Sequence, residues 1–111
     1  MFVRFARFEG TDPATRDDRV EQMRQEIESV KAGNPPEGMP PEAGEVLRSS
    51  VVRVLTVVDH SDGTEGSAVF CATEEDLKRV DELLSAMSPP SAGDGHRVDV
   101  AHYEVVMDVE V

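Results

Sequence analysis

Tryptophan is absent, tyrosine occurs once, lysine stands only at Lys31 and Lys78, and Cys71 is the single cysteine among 111 residues. One cysteine excludes an intramolecular disulfide and any multi-cysteine metal centre within one chain, which fits a reducing compartment. Cations are scarce too: 11 Lys and Arg face 23 Asp and Glu, a formal net charge of −12. Long-range repulsion therefore disfavours nucleic-acid phosphates and anionic membrane surfaces as partners. No apolar run reaches membrane-span length, and the segment Met1 to Phe8 alternates, with Arg4 and Arg7 where a signal peptide needs continuous apolar residues. The expectation is a cytoplasmic protein that contacts neither nucleic acid nor membrane.

The residues that are present fall into periodic segments, so the chain is expected to fold as a single domain, 1–111, despite its charge. Phe2 to Phe8 alternates with large apolar groups on both sides and reads as a first strand. Asp12-Pro13 supplies a cap and a first-turn proline, with Thr15 and Asp18 as a competing start. Val20, Met23, Ile27 and Val30 then form a one-sided helical stripe, closed by Gly33-Asn34-Pro35-Pro36. The Pro- and Gly-rich stretch 33–50 reads as a loop with a turn of helix at Glu45 to Arg48. Val51 to Val58 is a β-branched strand. Asp59 to Glu65 makes a hairpin around Gly63, and Ser67 to Ala72 is a short third strand. Thr73 with Asp76 caps a second helix, whose stripe is Leu77, Val80, Leu84 and Met87 and whose stop is Ser88-Pro89-Pro90. A long last strand is expected over Val98 to Val111, with Ala101, Tyr103, Val105 and Met107 alternating with His102, Glu104, Val106 and Asp108.

The order β-α-β-β-α-β predicts an α+β, ferredoxin-like fold: a four-stranded antiparallel sheet with two helices on one face. Strands that are apolar on both sides leave the other face uncovered, and a chain this short has nothing left to cover it. A homodimer packed through that sheet face, with the last strand reaching across, is the expected remedy.

At this point the chain resembles the dimeric α/β-barrel superfamily that includes the antibiotic-biosynthesis monooxygenase-like domains. The resemblance rests on four segments: Phe2 to Gly10; Val57-Val58-Asp59 leading through Asp62-Gly63 into Ala68-Val69-Phe70; Thr73 to Leu77; and Val100 to Val105. It covers most of the chain except the proline-rich loop, and it specifies fold well and activity badly. Haem-degrading members carry an asparagine on the first strand and a tryptophan at the end of the third. The matching places here are Ala6 or Arg7 and Phe70 or Cys71, so haem oxygenation is not expected. Cofactor-independent oxygenases of the family hold an acidic phenol or quinol between helices and sheet and remove a proton before oxygen reacts.

Such chemistry needs a base near neutrality, and only His60, His96 and His102 are available. His60 lies in the hairpin and His96 in a polar loop, both solvated positions. His102, on the last strand beside Tyr103, is the candidate catalytic base, and Tyr103 is its companion, although a partly exposed strand histidine describes the same residue. The candidate ligand pocket consists of Arg4, Ala6, Met23, Ile27, Arg53 and Cys71. An arginine inside such a barrel could hold a carboxylate or phenolate, while an arginine meeting one of the chain's many carboxylates is the plainer reading. Met23 and Ile27 are core by default, and Cys71 reads as a buried thiol with no adjacent base. Asp59, His60 and Asp62 match no calcium-loop spacing and are explained by the turn, so no metal and no cofactor are expected. Two functions stay open: a homodimer that binds, and oxidises without cofactor, a small aromatic or polyketide-like metabolite, and a non-catalytic small-molecule-binding or protein-interaction dimer.

Overall fold

The computed structural model describes residues 1–87, 93 and 95–111. Strand β1 (Phe2–Glu9) is followed by a 3-10 turn at Pro13–Thr15, then helices α1 (Arg16–Lys31) and α2 (Pro41–Ser50), strands β2 (Val51–Val58) and β3 (Glu65–Cys71), helix α3 (Glu74–Ser85) and strand β4 (His96–Glu104). The sheet order is β2-β3-β1-β4 with every neighbouring pair antiparallel. This is the ferredoxin-like α+β arrangement, with α2 as a third helix.

The two competing helix starts are both used. Asp12 caps the 3-10 turn, accepting a hydrogen bond from the Ala14 amide at 2.9 Å, and α1 proper begins after Thr15. At α3 the Thr73 hydroxyl accepts from the Asp76 amide at 3.1 Å, while Glu74, Glu75 and Asp76 suit the positive end of the helix dipole. The Ser88-Pro89-Pro90 stop lies outside the described residues.

Alternation along the paired strands assigns each face. Arg4, paired with Val69 and His102, and Ala6, paired with Ser67 and Val100, look toward the helices. There Val69, Cys71, Leu77 and Val80 form the core, with Phe2, Val46, Leu47, Val51 and Leu84 packed against it. Val3, Phe5, Phe70, Leu55, Val57 and Tyr103 point the other way. Gly66 makes room on that face for Phe5, since a Cβ there would stand 2.5 Å from the ring's Cζ. Leu55, Val57 and Tyr103 remain 38%, 48% and 57% exposed, so the face opposite the helices is apolar and uncovered in the single chain.

Two expectations are corrected. The stretch expected as a loop with one turn of helix holds the ten-residue helix α2. Pro41 occupies the first helical position, where its missing N–H costs nothing, and Gly44 is a contact point at which a Cβ would come within 3.0 Å of Pro35. The last strand ends at Glu104 instead of Val111. It runs antiparallel to β1, whose ladder begins at Phe2, so beyond the bond from the Val105 amide to the Met1 carbonyl it has no neighbouring strand. Val106, Met107, Val109 and Val111 consequently extend into solvent.

Candidate functional site

Where β1 and β4 meet α3, four polar side chains converge. Arg4, 3% exposed, projects from the middle of β1 toward α3, and its Nε donates to Asp81 Oδ1 at 2.9 Å. A second guanidinium nitrogen donates to the Ser85 hydroxyl at 3.3 Å, and that hydroxyl donates in turn to Asp81 at 3.2 Å. His102 lies directly across the ladder from Arg4, and its Nε2 stands 3.1 Å from the same Asp81 oxygen. Asp81 and Ser85 are one helical turn apart on α3, which sets both groups over one strand pair.

Burial pushes the Asp81 carboxyl upward. The hydrogen bond from Arg4, then the bond and charge of His102, outweigh it and hold the group below the ordinary value of 3.8. Asp81 is therefore a carboxylate at neutral pH. An oxygen acceptor facing Nε2 requires that this nitrogen carry the proton, which leaves Nδ1 of a neutral imidazole as the ring's acceptor.

Beside this cluster, an open groove of about 300 Å³ runs between α3 and the end of β4. Phe2 and Leu77 supply its apolar lining, and His102, Tyr103 and Glu104 border it along β4, with Glu74 and Lys78 on α3. The side chain of His102 is 43% exposed, so the imidazole reaches from the salt-bridged cluster into accessible space.

A second ion-paired carboxylate, the buried Glu65, sits at the far end of the sheet, on β3 beside the start of α1. Arg19 grips it with two nitrogens at 3.1 and 3.0 Å, and Arg16 adds a third contact at 3.3 Å. Burial raises its pKa, but the bonds from Arg19, Thr11 and Arg16 hold it below 4.5. These bonds go to the protein's own Arg16, Arg19 and Thr11, so this cluster ties the start of α1 to β3.

The structure brings some sequence-derived site residues together and separates others. Arg4, Ala6 and His102 share the helix-facing side of β1 and β4. Ala6 is packed at 1% exposure. Met23 lies on α1 with its sulfur 3.7 Å from the Thr56 hydroxyl, and Ile27 is half-buried one turn on, both away from the Arg4 cluster. Cys71 is fully buried in the core, where burial and then Asp76 push its thiol upward, which suits an inert side chain. Arg53 belongs to the other face, its guanidinium 5.9 Å from the centroid of the Phe70 ring. Tyr103 is turned to that face as well, opposite Val3, although it borders the groove. Nothing local in the sequence marks Asp81 or Ser85; an arginine amid apolar strand residues is the one signal that a carboxylate lies across from it. Among the described residues no three His, Cys, Asp or Glu groups converge as a metal site, and no helix is long and apolar enough to cross a membrane.

No family profile and no curated protein matches this chain. In structure it is similar to the crystal structure of a point mutant of MhuD with two manganese protoporphyrin IX molecules bound per active site. That likeness has a TM-score of 0.60 at 9% sequence identity and covers 100% of both chains. An antibiotic biosynthesis monooxygenase also covers 100% of each chain, at 14% identity and a TM-score of 0.44. At such identities the likeness speaks of architecture. The chain has a ferredoxin-like α+β fold, which it shares with that MhuD structure.

Proposed function

We propose that this protein is a homodimer that binds a small aromatic, weakly acidic metabolite in the groove between α3 and β4, with His102 as the proton acceptor. The observation that carries the reading is the junction of two features: an accessible imidazole anchored by a charged carboxylate, and an adjoining groove lined by Phe2 and Leu77. Phe2 and Leu77 offer an aromatic ring an apolar contact, and the imidazole of His102 is the polar group placed to meet its hydroxyl.

The chemistry follows from the anchored ring. Nδ1 accepts the hydroxyl proton of a phenol or quinol, and Asp81 stabilises the imidazolium that results. The phenolate left behind is richer in electrons than the phenol and is the form that dioxygen oxidises without a cofactor. Haem has no part in this reading: Ala6 and Cys71 are sealed in the core, and Phe70 looks to the opposite sheet face. The uncovered apolar face, with the exposed Val106, Met107 and Val109 beyond β4, supports pairing with a second copy.

A non-catalytic binding dimer is the second reading, favoured by the groove being open to solvent where oxygenase chemistry gains from excluding water. Oxygen uptake with a panel of hydroquinones and naphthoquinols separates the two. Turnover above the spontaneous rate that falls at least about tenfold in His102→Ala supports the enzyme. Binding without turnover supports the module, and equal turnover in His102→Ala removes the proposed base.

A further inference from the structure

We infer that Asp81 is the positioning residue of this site and that the ligand it selects is a neutral hydroxyarene, not a carboxylate. The inference rests on the reading of His102 as the ligand's proton acceptor and adds which group orients it and which chemical class it admits.

Arg4 is a candidate for holding an anion in a pocket, yet its guanidinium is committed, as the plainer reading of a strand arginine among many carboxylates has it. It is 3% exposed, bound to Asp81 at 2.9 Å and to Ser85 at 3.3 Å. Releasing it toward a ligand would strand Asp81 without its counter-ion in a half-buried position, a costly exchange. The lysine that lines the groove, Lys78, is exposed and stands 3.9 Å from Glu74, so it is a weak anchor. A carboxylate entering the groove would meet Glu74 and Glu104 within a chain of net charge −12. The local field therefore opposes an anion at entry.

A protonated hydroxyl meets no such opposition. With Nε2–H directed to Asp81, the remaining ring nitrogen is a lone-pair acceptor, and the complement of an acceptor is a donor. Asp81 is thus a tautomer lock. Arg4 neutralises its charge and Ser85 fixes its orientation, so His102 is presented in one form and not as a mixture.

Two measurements test this. Long-range proton–nitrogen NMR of the imidazoles at alkaline pH, with the His102 signals assigned by their loss in His102→Gln, reads the tautomer directly. The expected spectrum shows the Nε2–H form alone in the unaltered protein and a mixture in Asp81→Ala. A mixture or an Nδ1–H form in the unaltered protein overturns the positioning role, and that result needs no variant to fold. Calorimetry at neutral pH with 1-naphthol and 1-naphthoate reads the class. Naphthol is expected to bind about tenfold or more tightly than naphthoate, and to lose that margin in Asp81→Ala. Equal or tighter binding of naphthoate overturns the selectivity. If neither probe binds, the ligand reading fails and takes the selectivity with it, while the tautomer spectrum still decides the role of Asp81.

Discussion

The most consequential side chain is Asp81, because one oxygen of it receives Arg4, His102 and Ser85 together. Its ionisation, like that of Glu65 at the other end of the sheet, links the fold to pH. Both carboxyls are held below their ordinary values of 3.8 and 4.5 in the folded chain. A depressed folded value means that the unfolded state binds protons first on acidification. The stabilisation is complete above the ordinary values and is lost as pH falls through the folded ones. Urea midpoints are therefore expected to be flat from neutrality down to about pH 5 and to decline steadily below that. Glu65→Gln is expected to flatten part of the decline while lowering stability at neutral pH. A midpoint that rose on acidification would show that these carboxyls are not held as described. Sequence exposed only half of this chemistry. Arg4 and His102 stand out as polar residues in apolar strands, whereas Asp81 is one of many acids on a helix and lies 77 positions from Arg4. Nothing local distinguishes it until β1 and α3 are packed.

Helix α3 carries the site and depends on how it ends. Arg97, from β4, donates to the carbonyls of Leu84, Met87 and Ser85 at 3.2, 3.4 and 3.0 Å, which ties the C-terminal end of the helix to the strand. Arg97→Ala is expected to cost about 1 to 2 kcal/mol, read from denaturant midpoints, and to speed hydrogen exchange in the last turn of α3 while leaving its first turn protected. Uniform exchange along the helix would contradict that role. The strands were legible because their alternation is a local property, and α3 was legible because Thr73 and the stripe from Leu77 to Leu84 are local too. Helix α2 was not, because Pro40, Pro41 and Gly44 carry opposite meanings inside a loop and at a helix start, and only the approach of Gly44 to Pro35 separates them. The end of β4 was equally hidden. The alternation persists to Val111, but a strand stops where its neighbour does, and β1 begins at Phe2.

Taken whole, the molecule is a sheet with one side dressed by three helices and the other left apolar, around Phe5, Phe70, Leu55, Val57 and Tyr103. The core on the helix side is small. Val69, Cys71, Leu77 and Val80 are its buried centre, so a second apolar layer would add burial where the single chain has little. Burial of apolar surface stabilises by about 25 cal/mol per Å², which makes an exposed sheet face a strong drive toward association. A self-complementary twofold pairing is the closed solution, and it would give Val106, Met107 and Val109 neighbours that β1 cannot supply. The groove beside His102 reaches the end of β4 at Glu104, the point from which that tail departs, so pairing there would change how far the imidazole is shielded from water. Sedimentation equilibrium across the low micromolar range tests this most directly. A mass twice that of the chain, falling to the monomer when Leu55→Glu and Val57→Glu are combined, is the expected result; a compact, stable monomer throughout would contradict it.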